Sequence, residues 1–299
     1  MSGLIVLKPV DVTPAMLASS VAEDDYPAYD ADETYAADAR VIHGHFVYQS
    51  LQADNIGHQP DVNATWWVQV GPTNRWKAFD RSHSTQTTAI NSMWFEISGT
   101  QVRSAVAMLN LSGVASIKVT VTDPQYGLLY EREETLLSAQ AQSNWYSWFF
   151  GVRKTKTEWR ALDLPSYPNA VIRIELEGVG PIGVGVILVG DQVTIGEGVQ
   201  RGARMGIRDY SRKETDQWGD VVLQKRAYSK TRSFSLVIKN EQLDEVDQLL
   251  TDLRASPVLW IAAERYDSPN VYGWYSSFDI LLQYANHSEC NIDIEGLSA

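Results

Sequence analysis

Several groupings in the sequence have residue types that could do chemistry. His43-Gly44-His45 places two imidazoles on one face of a strand, the beginning of a metal site. A metal ion would need at least one further ligand, and no diagnostic spacing supplies it, so exposed strand histidines are the simpler account. Asp24, Asp25, Asp30, Asp32 and Glu33 offer hard oxygen ligands of the kind calcium takes. They lack the ordered spacing and central glycine of an EF-hand loop, which favours a solvated acidic arm or a subunit contact. Gly178-Val179-Gly180 and Gly183-Val184-Gly185 have the glycine content of a phosphate loop, but no Lys-Ser/Thr ending and no strand-to-helix step. They read better as a tightly packed strand before Ile187 and Leu188. There is no Gly-x-Ser-x-Gly elbow, and carboxylate pairs arise by chance in an acidic chain. No enzymatic activity, metal or cofactor is expected.

The aromatic residues carry more information. The 299-residue chain has ten Trp and fourteen Tyr. Tyr35, Tyr48, Trp66 and Trp67 crowd into a short N-terminal region, and a row of exposed aromatic faces can stack on sugar rings. Neighbours on a strand point to opposite faces, so one of Trp66 and Trp67 should pack inside and the other face out. Trp145, Tyr146, Trp148, Phe149 and Phe150 form a second cluster, suited to core packing or to an interface.

The net charge is −12, which speaks against nucleic-acid binding because phosphate contacts need a basic footprint. The charge is uneven. Seven acids and no Lys or Arg lie between Ala22 and Asp38, whereas nine bases and four acids lie between Arg201 and Arg232. In a ring of identical subunits such patches could meet head to tail; two solvated surfaces are the alternative. A single cysteine, Cys290, rules out an internal disulfide. No signal peptide or bilayer-length apolar run is expected, so the chain is read as soluble, without membrane insertion.

The elements that must position these residues are mostly strands. Ile117, Val119 and Val121, then Ile172, Ile174 and Leu176, alternate with polar residues as half-buried antiparallel strands do. Phe234, Leu236 and Ile238, then Phe278, Ile280 and Leu282, mark two more. Cys290, Ile292 and Ile294 share a face, which places the thiol in the core. One helix is expected, with Asn240 able to cap it and Leu243, Val246, Leu249, Leu250 and Leu253 at helical spacing. Ser256-Pro257 ends it.

Three stretches carry resemblances. Thr34-Tyr35, Arg40-Val41-Ile42, Val47-Tyr48 and Trp66-Trp67 follow the order found in small chitin-binding-type carbohydrate-binding modules, with Ala37-Asp38-Ala39 where a Gly-Asp turn is usual. The segment Asn55 to Pro60 is similar to phage versions of that module. Trp145 to Phe150, Asp163-Leu164-Pro165 and the later glycine-rich strand resemble the galactose-binding-type jelly-roll of phage tail proteins. Asp209 to Asp216, Gly219, Lys225-Arg226-Ala227-Tyr228, the helix, Pro257 to Trp260, Tyr272 to Tyr275 and Ile294 to Leu297 resemble distal-tail-like ring proteins of siphophages.

The expected fold is mainly β, with multi-domain β-sandwiches or jelly-rolls and one flanking helix in the C-terminal domain. The expected boundaries are an arm at 1–24, the aromatic module at 25–85, the sandwich at 86–200 and the ring-forming domain at 201–299. The resemblances imply a structural part of a phage tail tip or baseplate, located in the virion and assembled in the host cytoplasm. Its implied partners are copies of itself in a ring and other tail proteins, with Arg212, Lys213, Lys225 and Arg226 at subunit contacts. The competing expectation is an adsorption protein that binds a host-surface glycan through Tyr35, Tyr48, Trp66 and Trp67.

Overall fold

The computed structural model of the protein describes residues 3–136, 155–215, 217–262, 270–282 and 284–297. The chain is mainly β, with large antiparallel sheets and one short α-helix among these residues. The cluster Trp145, Tyr146, Trp148, Phe149 and Phe150 lies outside them, as does Asp216.

The chain opens with β1 (Leu4–Pro9) and β2 (Leu17–Ser19). β1 lies in the expected arm, yet it is a central strand. Its four apolar residues alternate between two cores. Leu4 and Val6 join Ile195 and Trp260 on one side; Ile5 and Leu7 join Ala107, Leu188 and Tyr272 on the other. Burying each such side chain contributes about 1.5–3 kcal/mol, so this segment is held firmly.

β3 (Arg40–His43), β4 (Phe46–Ser50) and β5 (Trp67–Pro72) form a separate three-stranded meander. Gly44 and His45 close the β3–β4 hairpin with φ of 55° and 71°, the left-handed pair that a two-residue turn requires. A 3₁₀ segment, Asn74–Phe79, then leads into the sandwich.

The sandwich-like middle part is built from β6 (Thr87–Ile97), β7 (Ala105–Asp123), β8 (Gly127–Thr135), β9 (Trp159–Ala161) and β10 (Val171–Ile195). β10 lies between β6 and β7: Ile174 faces Phe95 on one side and Val119 on the other. The predicted alternation therefore lands on one core, with Ile117, Val119, Val121, Ile172, Ile174 and Leu176 all buried. The glycine-rich run is part of β10, where the register slips between Glu177 and Gly183. Gly113, opposite that slip, has φ 68°, and a Cβ there would sit 2.2 Å from the Pro181 carbonyl oxygen. Glycine is needed because the two backbones touch.

The C-terminal part comprises β11 (Gly198–Val199), β12 (Arg204–Asp209), β13 (Arg212–Thr215), β14 (Val221–Gln224), β15 (Tyr228–Lys239), the helix Leu243–Asp252, β16 (Val258–Ile261), β17 (Val271–Leu281) and β18 (His287–Gly296). Phe234, Leu236, Ile238, Cys290, Ile292 and Ile294 form its core under Val246 and Leu250 of the helix. Asn240 does not cap that helix. It opens a 3₁₀ turn, and its side-chain amide donates to the carbonyls of Tyr284 and Ala285 at 3.0 and 2.9 Å. The turn between β17 and β18 has taken the group that the helix end would use. A single sheet runs from the C-terminal part through β16 and β1 into β10, and Ile195 and Val199 already belong to the C-terminal core.

Candidate functional site

The aromatic module is organised around Trp67. Its ring is 2% exposed, and its Nε1 donates to the His58 carbonyl at 2.7 Å. Tyr35 meets it edge-on at 5.2 Å, and the Tyr35 hydroxyl bonds both the amide and the carbonyl of Asp30. Tyr48 is buried in the same cluster. Burial holds the Tyr35 and Tyr48 hydroxyls above their ordinary pKa. Trp66 differs from these three. It sits in the turn before β5, half-buried, and stacks on His58 at 4.0 Å with the rings 11° apart. Of the four residues expected to bind sugar, Trp66 alone reaches the surface.

The paired histidines part company. β3 ends at His43, and the left-handed turn swings His45 off the strand face. His43 faces Asp61 at 3.5 Å, whereas His45 Nδ1 lies 2.9 Å from Glu23. Among the described residues no three His, Cys, Asp or Glu side chains are grouped to share a metal ion. Part of the acidic stretch is used structurally. Glu23 receives the Thr73 hydroxyl at 3.1 Å, Arg75 at 3.1 Å and the Trp76 indole at 3.3 Å. Asp25 accepts the Asn74 amide at 2.6 Å. Burial works to raise the Glu23 pKa, but His45, Thr73 and Arg75 outweigh it and leave the carboxyl below its usual value.

The basic stretch forms a projecting ribbon. β12 pairs with β15 along the sheet edge, and β13 and β14 continue outward as a two-stranded hairpin. Every residue of β12, β13 and β14 is exposed. Glu295 anchors the base, accepting from Arg208 at 2.7 Å and from the Tyr210 hydroxyl at 2.8 Å. Asp209 accepts from the Ser211 amide and pairs with Lys213 at 3.2 Å, which holds its carboxyl down to about 2. Arg212 pairs with Glu214. Lys225 and Arg226 follow β14 and are exposed. The four expected contact residues thus lie along one ribbon, two in β13 and two just after β14.

No family model matches this chain, and no curated protein matches it.

The ribbon also carries apolar residues that the sequence reading passed over. Val221, Val222 and Leu223 are 59–69% exposed, and Trp218 in the turn is 81% exposed. Three successive apolar residues on a strand cannot share one buried face. That run was the available signal: a ribbon with apolar groups on both sides has no core of its own to fill.

Proposed function

We propose that the protein is a structural component of a phage tail tip or baseplate, located in the virion. It forms a ring of identical subunits and docks other tail proteins. The observation that carries this reading is the ribbon from β12 to β14, where exposed valine and leucine side chains of β14 lie on the same ribbon as Arg212, Lys213, Lys225 and Arg226. Exposed apolar strand residues of this kind mark contact surfaces. Their basic neighbours suit an acidic partner, and a second copy of this chain is one: outside 201–232 the chain is more acidic than its overall −12. The resemblance of the same stretch to distal-tail-like ring proteins points the same way. Electron micrographs of the purified protein test it. Closed rings with a fixed subunit number are expected, and a uniform field of single subunits contradicts the reading.

A second reading rests on Trp66, the aromatic residue that stays at the module surface on His58. In that reading the module binds a host-surface glycan by ring stacking. Trp66→Ala would then abolish glycan binding and leave rings intact, whereas unchanged glycan binding contradicts it.

A further inference from the structure

The surface that complements the ribbon lies on the same chain, at the far end of β15. The base of the ribbon sits where Asp209 of β12 pairs with Tyr228, the first residue of β15. The last residue of β15, Lys239, pairs with His287 of β18 and runs directly into the 3₁₀ turn and the helix. The turn between β17 and β18 therefore lies against the start of the helix, held by the Asn240 amide on the Tyr284 and Ala285 carbonyls. β15 has 12 residues. At about 3.3 Å per residue, it sets the ribbon base and the helix roughly 35 Å apart.

The two ends are opposite in charge and alike in carrying bare apolar groups. Glu241, just before the helix, and Asp244, Glu245 and Asp252 on it are exposed. None of the four has an ion-pair partner among the described residues. Lys239, the base beside them, is taken by Glu197 at 2.6 Å. Val246, Leu250 and Leu253 are buried on the other side of the helix, so its acids face outward. Next to them Leu281, Leu282 and Tyr284 are exposed. On the ribbon, Arg212 and Lys213 are paired with Glu214 and Asp209. Lys225 and Arg226 are exposed, and their side chains have no acid partner among the described residues. Val222 and Leu223 precede them on opposite faces of β14, so an apolar side chain accompanies whichever face docks. Ribbon against ribbon would set cation against cation, which disfavours a two-fold contact and favours a head-to-tail one.

We propose that the ribbon of one subunit docks on the outer face of the helix and the adjoining β17–β18 turn of a second copy. Lys225 and Arg226 meet the helix acids there, and Val222 or Leu223 meets Leu281, Leu282 and Tyr284. This contact rests on the reading of the protein as a ring of identical subunits and names the surface that receives the ribbon.

The test is light scattering on the full chain over a range of concentrations, with charge reversals at each end. The ribbon variant is Lys225→Glu with Arg226→Glu; the helix variant is Glu245→Lys with Asp252→Lys. All four side chains are exposed. In the helix variant the loss of an acid from the first turn is offset by a base in the last, so melting midpoints should match the wild type. Each variant should associate at least about tenfold more weakly than the wild type. A chain carrying all four reversals has complementary ends again and should return to the wild-type mass. A helix variant that associates as well as the wild type overturns the proposal and leaves ring formation standing. A four-fold variant that stays at the subunit mass overturns it as well. A wild type that never associates overturns both the proposal and the ring reading.

Discussion

Glu23 and His45 meet at 2.9 Å, and through them the turn between β3 and β4 is fastened to the sandwich. The same carboxylate holds Thr73, Arg75 and Trp76, so one acid from the linker joins the aromatic module to the 3₁₀ segment. Glu23→Ala should cost about 1–3 kcal/mol, because it removes the acceptor of the buried Thr73 hydroxyl and the shared partner of the part-exposed Arg75, Trp76 and His45. Urea unfolding measures this directly.

The pH dependence has a definite sign. The folded Glu23 pKa lies below its ordinary value of 4.5. The carboxylate therefore stabilises the fold fully above that value, and the contribution is lost as pH falls through the lowered folded value. Thermal midpoints of the wild type should drop in that acid range. Glu23→Gln should show a flatter profile there; equal slopes would sink the idea.

The two adjacent tryptophans should behave differently. Trp67→Ala empties the centre of the module and should cost about 3–5 kcal/mol. Trp66→Ala removes a half-buried ring and should cost no more than about 1 kcal/mol. Chemical denaturation separates them. A loss of glycan binding in Trp67→Ala would therefore report unfolding, and only Trp66→Ala reads the surface.

Cys290 is fully buried, and burial with Asp279 nearby pushes its thiol up to about 11. Alkylation by iodoacetamide at neutral pH should follow unfolding, with negligible labelling of the native protein. Rapid native labelling would contradict the packing of β18.

Much of this architecture was legible in the sequence, and the reason is local. Residues 117–121, 172–176, 234–238 and 290–294 alternate, and each alternation became a strand with one buried face. Leu243 to Leu253 kept its helical spacing and its buried stripe. What escaped was non-local. Leu4 to Leu7 is a plain apolar run, and nothing in it says that its neighbours are Thr194 and Ile261. His45 left its strand because the turn after His43 needs two left-handed residues. Asn240 was drawn to carbonyls 44 and 45 residues away. The aromatic residues of the module were recognisable as a group, but their division into core and surface required the position of the turn that ends at Trp66.

On the proposed reading the ribbon serves assembly and not the stability of the subunit. Val222→Glu and Arg226→Glu each alter an exposed side chain, so unfolding free energies should stay within about 0.5 kcal/mol of wild type. If the ribbon docks an acidic partner as proposed, assembly should nonetheless fail in both, because each places a negative charge on that surface.

The mass of the purified full chain by light scattering, run beside Val222→Glu, tests ring formation most directly. The wild type should give a single multiple of the subunit mass, and the variant should give the subunit mass with an unchanged melting midpoint. A wild type that stays at the subunit mass at every concentration, or a variant that assembles as well as the wild type, would contradict the account.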